Sequence, residues 1–237
     1  FEESSPGAFS DADVFEIPTM VDLTALQEIA ALPMPELDYP KFNAASQLDA
    51  EDSIFDQIRE KEILVHHPYD SFGSTVERFI LDAADDPDVI SIKLTLYRSG
   101  EQSRIVDGLM RAAQAGKEVA VFVELKARFD EERNIHWARK LERAGIHVVY
   151  GIVRLKTHAK TTLVVRREGD AVRRYVHVGT GNHNAATAKF YTDLGLLSCR
   201  QKLGADLSDL FNELTGSSRP PQSKFRRLLV APKRMRK

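Results

Sequence analysis

Between residues 89 and 152 the sequence switches repeatedly from β-branched runs to helical patterns, which restricts the chain to a sheet with crossover helices. The runs at 89–97, 118–125 and 146–152 are rich in Val, Ile and Phe and read as strands. Helical patterns at 102–115 and 131–144 lie between them. Each closes on a glycine, Gly116 or Gly145, placed to cap a helix C-terminus. Strand, helix and strand in this order make parallel neighbours. The expected fold class is α/β, with a mostly parallel central sheet flanked by helices. Upstream, a helical stretch at 50–59 leads into Ile63-Leu64-Val65, which stops at His66-His67-Pro68. Downstream, 158–167 and 173–179 read as a hairpin around Glu168-Gly169-Asp170, and 206–214 as a last helix ending at Gly216.

The cationic residues keep the same rhythm. Arg98 closes the first run, Arg128 follows the second, and His158-Ala159-Lys160 follows the third, at successive intervals of 30 residues. About thirty residues make one strand–helix repeat, so these side chains recur at one end of successive strands. Open parallel sheets bind ligands at that end. Guanidinium groups match phosphate oxygens bidentately, which makes a phosphorylated substrate the expectation. His158 and Lys160 share one face of a strand, because the side-chain period is two. A neutral imidazole attacks phosphorus near neutral pH, and Lys160 beside it offsets charge on the phosphoryl group. Gly179-Thr180-Gly181-Asn182 follows the next strand. Small residues there let backbone N–H groups approach an anion, and Asn182 adds an amide.

Taken singly, these signals are weak. An isolated arginine is more often a surface or ion-pair residue, and it is the repeated spacing that singles out Arg98 and Arg128. Of the seven histidines, His136 and His147 read as packing or surface residues. His177 fits a half-buried strand position. His66 and His67 end a strand on the cleft side, so His66 is a candidate supporting residue.

Charge is divided unevenly along the chain. Residues 1–62 hold 15 acidic and 3 basic side chains, whereas 219–237 hold 8 basic and none acidic. The stretch between is nearly neutral, with 22 basic and 20 acidic. A polyanion binder working by bulk electrostatics carries a basic face, so anion chemistry here must come from a few placed residues and nucleic acid is not the expected partner. A single cysteine suits a reducing compartment. No apolar run approaches the ~20 residues of a membrane span. The chain begins without methionine or a signal-like segment and reads as a piece of a longer protein. Its expected divisions are an acidic, proline-punctuated extension (1–45), a central domain (46–216), and a linker that opens a further unit (217–237).

Six motifs carry a resemblance. HHPY (66–69), KLTLYR (93–98), ELKARFDE (124–131), KTHAK (156–160), GTGN (179–182) and YTDLGL (191–196) resemble the phosphohistidine-forming polyphosphate kinases, in order and with fitting spacing. The resemblance implies a phospholipase-D-like half domain at 46–216, preceded by the end of a helical domain and followed by a truncated second half. It implies that His158 is the autophosphorylated histidine, with Lys160 beside it, and that Arg98 and Arg128 lie at the Mg–ATP phosphate site. Tyr191 then contacts nucleotide. Arginine has no lone pair to give a metal, so Mg²⁺ is bound through the substrate phosphates near Arg98 and Arg128. ATP or ADP and inorganic polyphosphate are the implied partners. The full-length enzyme is implied to be a cytoplasmic homo-oligomer, with membrane association left open, and this portion alone to be inactive. One departure is His183, where the family usually carries tyrosine.

Two alternatives have distinct signatures. A phospholipase-D-type phosphodiesterase shares the His-x-Lys element but carries aspartate five residues after the lysine, where this chain has Val165. A non-catalytic polyanion-binding domain needs basic patches interleaved with aromatics, which the neutral centre lacks.

Overall fold

The computed structural model describes residues 11–13, 15–16, 18, 22–96, 103–124, 138–151, 157–216 and 225–231. The chain divides into two compact units, 1–42 and 43–237. Within the first, helix α1 (Leu26–Ala30) buries none of its residues. Within the second, Ala45 pairs with Asp70 and opens the ordered path into the sheet.

That sheet has seven strands: β1 (Ile63–His67), β2 (Val89–Leu96), β3 (Glu118–Val123), β4 (His147–Tyr150), β5 (Lys160–Glu168), β6 (Ala171–Gly179) and β7 (Asp193–Ser198). Their order across the sheet is β1-β7-β6-β5-β2-β3-β4. The fold is α/β as expected, but the sheet is mixed rather than mostly parallel. Among the described strands only β2–β3 and β3–β4 pair in parallel; the other four pairings are antiparallel. The reason lies in the connections. Crossovers join β2, β3 and β4, whereas β5 returns through the tight Gly169-Asp170 turn into β6. Strand β7, at a position that periodicity alone does not mark as a strand, reverses the chain once more.

Helices cover both faces. Helix α2 (Ile54–Glu60) is capped by Ser53, whose side chain accepts from the Asp56 N–H. It packs with α3 (Arg78–Asp85) and α4 (Arg104–Gln114) over the large core. Alpha3 continues directly from a π-helical turn, Gly73–Glu77, and has no counterpart in the sequence reading. The other face carries α5 (Gln201–Leu214), whose Leu203, Leu207 and Phe211 pack on Leu163 and Val176. Gly116 and Gly145 sit at φ +84°, the left-handed conformation their capping role requires.

Phe55, Phe79 and Tyr175 join α2, α3 and β6 through edge-to-face contacts, with ring centroids 6.1 and 4.9 Å apart. Phe79 is wholly buried. Phe79→Ala should therefore cost about 3–5 kcal/mol of unfolding free energy, read by urea titration. A loss under ~1 kcal/mol would show that this junction is not a packing centre.

Candidate active site

Strand directions gather the motifs quoted above at one end of the sheet. The C-terminal ends of β1, β2, β3, β4 and β6 meet the N-terminal ends of β5 and β7 there. His158 lies at this end, exposed, two residues before β5. Gly179, Asp193 and His67 reach the same edge. Arg98 and Arg128 lie outside the described residues, but β2 and β3 stop at this end just before the segments that hold them.

The backbone around His158 is fixed on both sides. Buried Glu124, at the end of β3, accepts the Thr157 N–H at 2.8 Å. Thr95 donates its hydroxyl to the Ala159 carbonyl at 2.8 Å and accepts the Thr161 N–H at 3.0 Å. Lys160 is buried and its Nζ donates to the His158 carbonyl at 2.7 Å. Glu124 and Thr95 are the residues that sequence reasoning missed. Both stand inside quoted motifs, ELKARFDE and KLTLYR, but attention fell on the cations. A lone carboxylate directly after the apolar 119–123 run was the only signal for Glu124, and nothing local marked Thr95.

Beneath Lys160 lies a layer of buried imidazoles. His183 Nδ1 donates to the Thr95 carbonyl at 3.1 Å, which leaves Nε2 to face Thr162 Oγ1 and His177 Nδ1, each at 3.2 Å. Burial brings His183 down to about 4; the Lys160 ammonium adds to the effect and the Thr95 carbonyl opposes it. Burial, with His183 and His67 close by, holds His177 well below its ordinary value. Both imidazoles are neutral at physiological pH. The departure at His183 is therefore a buried hydrogen-bonding residue, not a surface contact.

The glycines of this region make room. A Cβ on Gly195 would lie 2.8 Å from His177 Nε2, and one on Gly181 would lie 2.6 Å from the Asp193 carboxylate. Thr180 donates to that carboxylate at 2.7 Å and accepts the Leu194 N–H at 3.0 Å. The Asn182 Oδ1 is buried and finds no partner among the described residues. His67, not His66, faces this layer. Its Nδ1 donates to the Asp70 carbonyl at 2.8 Å, and its buried Nε2 finds no partner among the described residues. His66 points to the opposite, exposed face, edge-on to Tyr69 at 4.8 Å. Tyr191 is 59% exposed and packs beside Phe190, with centroids 5.2 Å apart. Val165 is half-buried and packs against the α5 face of the core. Among the described residues no cluster of three acidic, histidine or cysteine side chains could hold a metal ion.

The sequence matches the family of polyphosphate kinase C-terminal domain 1 over residues 53–220, most of the chain. The chain belongs to that family. The polyphosphate kinase of Streptomyces coelicolor is 54% identical over 233 residues, covering 95% of this chain and 31% of that protein. The crystal structure of polyphosphate kinase from Porphyromonas gingivalis aligns with a TM-score of 0.72 at 40% identity, over 86% of this chain and 34% of that one. Nuc of Salmonella typhimurium, a phospholipase D family member, shares the fold at TM-score 0.51 and 18% identity, over 69% of this chain and 99% of that one. This polyphosphate kinase domain thus spans about a third of the length of the curated relative. No helix among its described residues is long and apolar enough to cross a membrane.

The neutral imidazole layer has a pH signature. Unfolded, both histidines take up protons near the ordinary value of 6.5, whereas folded His183 resists until about 4. Stability should be full above pH 6.5 and fall as pH drops towards 4, by up to about 1.4 kcal/mol per unit for each group. In urea titrations at pH 7 and pH 5, His183→Tyr should lose less on acidification than the wild type. Equal losses would mean that His183 is protonated in the folded protein.

Proposed function

We propose that this chain carries the nucleophile of a polyphosphate kinase. The observation that supports the reading most is the clamped His158 segment: in a chain of this family, an exposed imidazole at the ligand-binding end of the sheet has its backbone held by Glu124, Thr95 and Lys160. Fixing a nucleophile in advance removes orientational freedom that the transition state would otherwise lose.

The lone pair of the His158 imidazole attacks the γ-phosphorus of ATP. A nitrogen–phosphorus bond forms, the bond to the β,γ-bridging oxygen breaks, and its electron pair leaves with ADP. A terminal oxygen of a polyphosphate chain then attacks the same phosphorus, and the electron pair of the nitrogen–phosphorus bond returns to the imidazole. Phosphohistidine and phosphoanhydride are both high-energy, so the transfer is reversible. Arg98 and Arg128 hold the phosphate oxygens, and Mg²⁺ bound to those phosphates supplies further neutralising charge. Lys160 offsets charge beside the transferring group, and Tyr191, exposed next to Phe190, offers a face to the nucleotide base. Val165, at the position where the phosphodiesterase motif carries aspartate, disfavours that reading. On this reading 46–216 is the first catalytic half, completed by a second half beyond 217, and the 237-residue chain alone makes no polyphosphate.

With γ-labelled ATP, the full-length protein should acquire an acid-labile, base-stable label. His158→Ala should abolish both the label and polyphosphate synthesis while melting normally. Arg98→Ala or Arg128→Ala should lower turnover by ~10³-fold, as removal of a transition-state arginine does elsewhere. Normal labelling of the His158→Ala protein would overturn the assignment.

A further inference from the structure

Beside the His158 segment lies a cavity of about 520 Å³, lined by His158 and Thr161 on one side and by Leu207, Leu214, Leu228 and Leu229 on the others. Two of its walls belong to α5 and to the segment 225–231. That segment has no regular secondary structure, so something else must fix it. The fixing group is Asp206 on α5, a wholly buried carboxylate. Its Oδ2 accepts three consecutive backbone N–H groups, from Arg226 at 2.8 Å, Arg227 at 2.6 Å and Leu228 at 3.0 Å. Its Oδ1 accepts from the Arg226 guanidinium at 3.3 Å.

A buried carboxylate is costly unless its lone pairs are filled, and here segment 225–231 fills them. Burial pushes the Asp206 carboxyl up, but the three backbone donors and Arg226 outweigh it and hold the group below its ordinary value. The clamp stays ionised and closed at neutral pH. Segment 225–231 in turn presents Leu228 to the α5 face of the core.

We infer that Asp206 is a positioning residue: by clamping the backbone of residues 226–228 onto α5 it holds an apolar wall beside His158 and keeps water from the phosphorylated imidazole. The inference rests on the proposed phosphohistidine. The side reaction it suppresses is hydrolysis. A water oxygen bonds to phosphorus, the nitrogen–phosphorus bond breaks, its electron pair returns to the imidazole with a proton from the water, and orthophosphate leaves.

The test uses the full-length protein and two variants that loosen the clamp from opposite sides. Asp206→Asn keeps the shape but turns an amide nitrogen or a weaker acceptor towards the three donors. Arg227→Pro deletes the shortest of the three bonds and leaves α5 untouched, so it decides the matter if Asp206→Asn fails to fold. Amides 226 and 228 should exchange hydrogen about ten- to a hundredfold faster in each variant, as should amide 227 in Asp206→Asn; proline leaves none at 227. The ratio of free orthophosphate to polyphosphate formed from ATP should rise several-fold, with the KM for ATP little changed. Unchanged exchange in both variants would refute the clamp. Faster exchange with an unchanged product ratio would refute the shielding role. A wild-type protein that never labels His158 would sink the functional reading, while the exchange data would still judge the clamp.

Discussion

Thr95 is the residue through which the candidate site is tied to its support. Its hydroxyl holds the backbone on both sides of Lys160, and its carbonyl accepts from buried His183. One residue at the end of β2, through its hydroxyl and its backbone carbonyl, thereby couples three things: the segment that presents His158, the imidazole layer under it, and the loop that follows β6. Each bond in a low-dielectric interior is worth little net, but leaving any member unpaired costs its full desolvation. The arrangement is therefore all-or-none. The imidazole layer is neutral chiefly because burial penalises a charged ring, and at His183 the Lys160 ammonium adds to that penalty.

The fold by itself does not select the chemistry. A phospholipase D family member and a polyphosphate kinase share this fold, as the likeness to Nuc and to the Porphyromonas protein illustrates. On β5, Val165 pairs with Ser91 and Arg174 and lies half-buried against the α5 face of the core, so no ionisable group stands five residues beyond Lys160. The segment 225–231 then adds an apolar boundary near His158, held by the Asp206 carboxylate.

Much of this was legible in the sequence, for identifiable reasons. Crossover strands are written in apolar, β-branched runs, so β2, β3 and the edge strand β4 stand out, and Gly116 and Gly145 mark helix ends through a backbone need that few other residues meet. The hairpin β5–β6 announced itself through its turn. Beta7 did not, because Asp193-Leu194-Gly195 owes its glycine to the approach of His177, a long-range contact with no local signature. The antiparallel half of the sheet was hidden for the same reason: pairing partners far apart in sequence leave no periodic trace. Within the site, the order of cations along the chain pointed to one edge of the sheet. Glu124, Thr95 and Asp206 escaped notice because their roles depend on backbone groups they meet only after folding.

The buried imidazoles beneath Lys160, His177 and His183, are neutral structural groups, distinct in environment from exposed His158 at the same end of the sheet. Nitrogen-15 NMR of the histidine rings, assigned by single substitutions, reads this directly. At pH 5.5, below the ordinary titration of a histidine, His177 and His183 should both show neutral rings, with the His183 proton on Nδ1. Imidazolium shifts at either ring, or a His183 proton on Nε2, would contradict the account.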